Sequence, residues 1–144
     1  MRKKQVWKYY CDFCKKSGGS KHHIEKHEKG CTLNPSRECG LCRISENEQP
    51  PIAALIGILP NIDNYRRTEI DKFGFKSEHF DGFDEMLHER LHILRETVNG
   101  CPACIMAALR QAKIPVPMAT EFDYKKELEA FWKEQNTERE PYEY

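Results

Sequence analysis

From Phe83 to Val98 the apolar residues fall at 83, 87, 91, 94 and 98, a 3-4 spacing that predicts an amphipathic helix ending at Asn99-Gly100. Three further helices follow from the same pattern. Pro50-Pro51 opens one over residues 52–59, which Pro60 stops. Pro102 opens a second that reaches about Lys113, ahead of the break at Pro115-Val116-Pro117. Asp123 caps a third, which runs through Tyr124, Leu128, Phe131 and Trp132 toward Thr137. That last stripe reads as core, with an interaction face for a partner as the alternative. Residues 61–83 carry no clear period: Asn61, Asn64, Gly74 and Gly82 punctuate them, and Phe73, Phe75, Phe80 and Phe83 are expected to supply packing surface. Strand signals are nearly absent beyond the first 44 residues.

The hydrophobic pattern divides the chain. Residues 1–44 are dense in Cys, His, Lys and Gly, lack the apolar content for a core of their own, and read as a metal module. Residues 45–51 form a polar, proline-ended linker, 52–137 a helical domain, and 138–144 a polar, frayed tail. A hydrophobic fraction of 39% and a mean hydropathy of −0.78 are low for 144 residues, so metal is the expected further source of stability. No run reaches the eighteen apolar residues of a membrane span, and the start MRKKQVWKYY leads into cysteines rather than an apolar signal core. The expectation is a cytoplasmic protein in which seven cysteines, an odd number arranged in Cys-x2-Cys pairs, bind metal rather than form disulfides.

A net charge of zero hides an asymmetry: residues 1–43 hold eleven Lys/Arg against four Asp/Glu, and the remainder twelve against nineteen. A basic head of this kind either meets a polyanion or docks on its own acidic body.

Cys11-x2-Cys14-x12-His27-x3-Cys31 has the spacing of a zinc finger with Cys in the last position. A knuckle presents two thiolates, twelve residues complete a hairpin and enter a helix, and one helical turn brings the last two ligands to the same face. Tyr9 and Ile24 are placed to form the small core of such a finger, while Gly18 stands where an aromatic is usual and thins it. A rival set would use His23 and His27 with Cys11 and Cys14, leaving eight residues between the pairs and Cys31 unused. Cys39-Gly-Leu-Cys42 is a second knuckle in need of two more ligands, and the cysteines left over are Cys101 and Cys104. Seven Cys and one His then fill two four-coordinate sites, with two Zn2+ as cofactors. The intervening 58 residues add little closure cost, because that cost grows only logarithmically. The competing reading of Cys101-Pro-Ala-Cys104 is a redox pair, but such a pair follows a strand in an α/β layer, and here a helix precedes it.

His88-Glu89-Arg90-Leu91-His92 satisfies His-Glu-x-x-His, the motif of zinc peptidases, with Glu121 as a conceivable third ligand. The two histidines run along the edge of the apolar stripe, Arg90 puts a charge inside the motif, and no strand-rich region precedes it. The preferred reading is a helix face without catalysis. In the finger helix, Ser20, His22, His23 and Lys26 occupy positions that approach base edges, and Lys15, Lys16, Lys21 and Lys29 lie near phosphates. A lone finger reads about three base pairs, so added basic elements or a protein partner are needed. No small-molecule substrate is evident.

On these residues the chain resembles small zinc-finger proteins encoded in bacteriophage genomes. In those, as here, a Tyr-x-Cys-x2-Cys finger runs into Asn-Pro-x-Arg-x-Cys-x2-Cys (Asn34, Pro35, Arg37, Cys39, Cys42), and a helical part with a later Cys-Pro-x-Cys (Cys101, Cys104) follows. The likeness is strongest over residues 9–43 and 100–111. It implies zinc binding without enzyme activity, in a DNA-binding regulator, a host-factor binder or a virion component, located in the host cytoplasm or the particle. The fold expected from all these features is small and mainly α: an N-terminal ββα-like finger clamped to a helical body through a four-cysteine zinc site.

Overall fold

Tyr9–Tyr10 (β1) and Ser17–Gly18 (β2) pair antiparallel, Tyr9 opposite Gly18, and the chain then enters α1 (Lys21–Gly30). Ser20, read from sequence as base-facing, is the cap of that helix: its Oγ accepts the His23 amide at 3.4 Å. A short helix, α2 (Gly40–Ile44), follows, and then α3 (Ile52–Ile58), bounded by Pro51 and by an extended Leu59 whose conformation is the one a following proline imposes. After a 3-10 turn at Ile62–Tyr65 come β3 (Arg66–Ile70) and β4 (Lys76–Phe80), then α4 (Phe83–Thr97), α5 (Pro102–Gln111), a 3-10 turn at Val116–Met118, and α6 (Tyr124–Glu138). The structure, a computed structural model, describes residues 1–138. Of the tail assigned from sequence to 138–144, all but Glu138 lies outside the described residues. About half of the chain is helical, and two small antiparallel sheets complete it.

The core is the one the 3-4 spacing predicts. Phe83, Leu87, Leu91 and Leu94 of α4, with Val98 beyond it, are buried, and they meet Leu55 and Leu59, Ile105, Ala108 and Leu109, and Phe131. α5 packs against both α3 and α6, and α3 also packs on α4. In α6, Phe131 is buried and stacks edge-on against the half-buried Trp132, Leu128 is half-buried, and Tyr124 is at the exposed rim. Phe131 and Trp132 of the stripe thus belong to the core, and Tyr124 does not.

The β3–β4 hairpin corrects the sequence reading, which found almost no strand outside the metal module. Arg66 pairs with Phe80 and Ile70 with Lys76 around a turn in which Asp71 Oδ1 accepts the amides of Phe73 and Phe75 at 2.8 and 2.9 Å. Gly74 takes the left-handed conformation, φ +82°, that the turn requires. The ribbon buries neither face, so its sequence does not alternate and gives no period-two signal. The expected packing role of its aromatics is only half right. Phe73 and Phe75 are 74% and 72% exposed, whereas Phe80 and Tyr65 reach the core by ring contacts with Phe83 at 6.1 and 5.7 Å. No helix among the described residues is long and apolar enough to cross a membrane.

Candidate metal centres

Eight side chains converge in two groups. Cys11, Cys14, His27 and Cys31 form one, and Cys39, Cys42, Cys101 and Cys104 the other; within each, the ligand atoms all lie within 4.8 Å of one another. Each group could hold a metal ion. Of the two four-residue sets weighed for the first site, the one ending in Cys31 is brought together, and His23 stays on the exposed face of α1.

The first group is assembled by the β1–β2 hairpin and α1. The Phe13 amide donates to Cys11 Sγ and the Lys16 amide to Cys14 Sγ, both at 3.4 Å, which folds the knuckle around its own sulfurs. His27 Nε2 lies 3.2 Å from Cys14 Sγ. Cys31 ends α1, its amide donating to Glu28 O, and burial pushes its thiol up from the ordinary range. At Cys14 burial acts in the same direction but is outweighed by the Lys16 amide and by the neighbouring thiols, so that group is lowered. Ile24 is buried here beside the half-buried Tyr9, as expected. Leu33 also packs on the cluster, a contributor the sequence did not single out.

The second group is built from two copies of one local design. Cys39 is the N-cap of α2 and Cys101 the N-cap of α5, in similar extended conformations (φ −84°, ψ 114° and φ −66°, ψ 110°), while Cys42 and Cys104 sit three residues on, in the first helical turn. Cys39 caps its helix with its sulfur, accepting the Cys42 amide, while Cys101 makes no side-chain cap hydrogen bond; a helix N-terminus favours a thiolate. Cys39 Sγ lies 3.5 Å from Cys101 Sγ and Cys42 Sγ 3.5 Å from Cys104 Sγ, across 62 residues of chain in each case. Four sulfurs about 2.3 Å from a tetrahedral zinc would stand about 3.8 Å apart, a spacing compatible with these two 3.5 Å separations and with the 4.8 Å limit on the whole set. All four cysteines are buried. Hydrogen bonds from Cys101, Cys104 and Cys42 hold Cys39 far below the ordinary thiol range, and contact with Cys101, Cys104 and Cys39 together with burial pushes Cys42 far above it. A dication held by these four cysteines would remove this conflict by accepting four thiolates at once.

The surrounding residues lock the head to the body. Gln49, in the segment read as a linker, accepts the Cys39 amide at 2.6 Å and donates to Arg37 O at 2.7 Å. Gln111 Nε2 donates to Thr32 O and Asn34 O at 2.9 and 3.0 Å, and Arg110 reaches Thr32 Oγ1 at 3.1 Å. Arg37 is 7% exposed, and its Nη1 donates to Cys104 Sγ at 3.8 Å. Gln49, Arg110, Gln111 and Thr32 were not singled out from sequence, and Asn34 and Arg37 appeared there only as letters of the family motif; their contacts are brought in by tertiary folding rather than by spacing.

The remaining sequence candidates lie apart from both groups. Lys15, Lys16, Lys21, His22, His23, Lys26 and Lys29 are all exposed, and none pairs with an acid of the body among the described residues; Lys21 meets Glu25 on its own helix at 3.9 Å. Lys26 and Lys29 line a cleft of about 350 Å³ with Gly30, Glu38, Gly40 and Arg43. Arg43, placed there by the second knuckle, was not singled out from sequence. His88 and His92 belong to neither metal group. His88 is held by Thr120 Oγ1 at 3.1 Å and Glu121 at 3.6 Å, and His92, 78% exposed, faces Glu96 at 3.8 Å. Glu121 thus does approach His88, but the motif's two imidazoles serve separate partners.

With the geometry established, comparison with known proteins adds no relative: no family model matches the chain, and no curated protein or solved structure is significantly similar to it.

Proposed function

We propose that this chain is a non-enzymatic binding protein, organised by two zinc ions, that presents a basic head to an acidic partner. The observation that carries the reading is the pair of four-ligand clusters, the second of which joins residues 39 and 42 to residues 101 and 104. On this reading residues 9–31 are a ββα-type finger, and the first zinc stabilises a hydrophobic cluster too small to do so alone. The second zinc clamps that finger to the helical body. Sets of four closely grouped thiolate and imidazole donors are those of structural zinc sites.

Two observations support an external partner for the head rather than its own body. The head's exposed cations have no ion-pair partners in the body among the described residues, and three of them, Lys26, Lys29 and Arg43, gather along one cleft. Three exposed cations along one cleft suit the phosphates of a nucleic acid, with His22 and His23 also exposed on α1. The His88–His92 motif is read as helix surface, because Leu91 within it is core and its histidines engage separate partners. The resemblance to bacteriophage finger proteins extends the proposal to a regulatory or assembly role in a host cytoplasm or a virion.

Three phosphate contacts imply an affinity for duplex DNA that falls about 40-fold between 50 and 200 mM salt. Fluorescence anisotropy with the zinc-loaded chain is expected to give that slope. The variant Lys26→Glu/Lys29→Glu/Arg43→Glu, checked to retain two zinc ions, is expected to lose the binding. No binding at low salt, or binding that survives the triple substitution, would contradict nucleic acid as the partner and leave an acidic protein surface.

A further inference from the structure

Arg37 is the charged side chain found buried among the described residues, and nothing acidic accepts it: its Nη1 points to Cys104 Sγ at 3.8 Å, and its Nε has no partner. A buried guanidinium without a carboxylate is costly unless another negative charge faces it. Here that charge is the four-cysteine cluster. Four thiolates around a dication leave about two negative charges, in a site whose sulfurs are almost fully buried.

The local design of the site shows why the arginine meets this particular sulfur. Of the two cap cysteines, Cys39 receives a backbone donor from its own knuckle, the Cys42 amide at 3.5 Å, whereas Cys101 Sγ makes no capping hydrogen bond. Among the described residues no backbone amide donates to Cys42 Sγ or Cys104 Sγ, which contact each other at 3.5 Å. Arg37 gives Cys104 the donor its position lacks. Cys42 receives none, and it borders a cleft of about 190 Å³ lined by Glu38, Cys39, Arg43, Asn47 and Gln49. The two otherwise equivalent sulfurs are therefore chemically unlike. Gln49 fixes the backbone on both sides, holding Arg37 O and the Cys39 amide with one amide group.

We propose that Arg37 is the charge-balancing residue of the four-cysteine site, donating to Cys104 so that this thiolate is the less nucleophilic of the two helix-borne ligands and Cys42 the reactive one. The inference rests on metal occupying this site. It assigns the site a reactive side, facing the Cys39–Cys42 cleft, and a quiet side, facing Arg37.

The test uses the full zinc-loaded chain, treated with N-ethylmaleimide and followed by peptide mass spectrometry, together with the absorption spectrum of the cobalt-substituted protein. In the wild type Cys42 is expected to be modified before Cys104. Arg37→Gln is expected to raise the Cys104 rate on the order of tenfold, as removal of a charge-assisted hydrogen bond would, with Cys11 and Cys31 unchanged. It should also move the sulfur-to-cobalt charge-transfer band to lower energy. Arg37→Lys, which keeps the cation but not the fork, is expected to fall between the two, and it carries the test if Arg37→Gln does not fold. A wild type that takes up no metal at these four cysteines overturns both this inference and the reading beneath it. A fully loaded wild type whose Arg37 variants match it in Cys104 rate and cobalt spectrum overturns this inference alone.

Discussion

Gly100 has φ +75° and Asn99 φ +52°, and this left-handed pair turns the chain from the end of α4 into Cys101. The Gly100 amide closes the turn on Arg95 O at 2.9 Å. Gly100→Ala is expected to cost about 1 kcal/mol in urea unfolding, the penalty of a Cβ at such a conformation, although open space surrounds the position; an unchanged midpoint would show that the turn relaxes without loss. The stop at Asn99-Gly100 is readable in sequence because few residue types tolerate that backbone. The two groups that could hold a metal are readable for a related reason: such donors must recur at intervals set by a knuckle and a helical turn, and counting them pairs Cys39 and Cys42 with Cys101 and Cys104. Arg37 is different. A charged residue in a polar stretch reads as surface, and the sulfur that draws it inward is 67 residues away. Gln49 and Arg43 escape for the same reason, since their partners or neighbours are supplied by folding.

Among the elements, α4 and the β3–β4 hairpin mark the limits of what a hydrophobic pattern reveals. α4 buries one face, so its stripe is plain, and Leu91 lies fully inside. Leu91→Ala is expected to destabilise the protein by about 2–5 kcal/mol, measured by chemical unfolding of the zinc-loaded chain. Phe73→Ser, at the exposed hairpin tip, is expected to stay within about 0.5 kcal/mol of the wild type; a larger loss would mean that the tip packs on something. The hairpin was missed because a ribbon exposed on both faces has no apolar side to write into its sequence. What holds it is local: cross-strand pairing, the Asp71 turn, and a base anchored by Tyr65 and Phe80. The His-Glu-x-x-His stretch is the opposite case, a strong sequence signal on a helix whose packing gives Leu91 to the core and the two histidines to different neighbours.

At the level of the whole molecule, a chain of modest hydrophobic content joins a basic head to an acidic body through two knuckles that meet across 62 residues. The buried helical core holds the body, but the head has only a small cluster of its own around Ile24. Removing metal with a strong chelator is accordingly expected to unfold the head first, seen as loss of α1 helicity and rapid proteolysis within residues 9–44, while the α4–α5 core persists longer. The central claim is that Cys39, Cys42, Cys101 and Cys104 are one site, not two half-sites. Native mass spectrometry of the zinc-reconstituted chain tests it most directly. The wild type should carry two zinc ions; Cys39→Ser/Cys42→Ser should carry one, Cys101→Ser/Cys104→Ser one, and the two pairs combined still one. Two zinc ions retained on loss of Cys101 and Cys104, or none left in the combined variant, would contradict it.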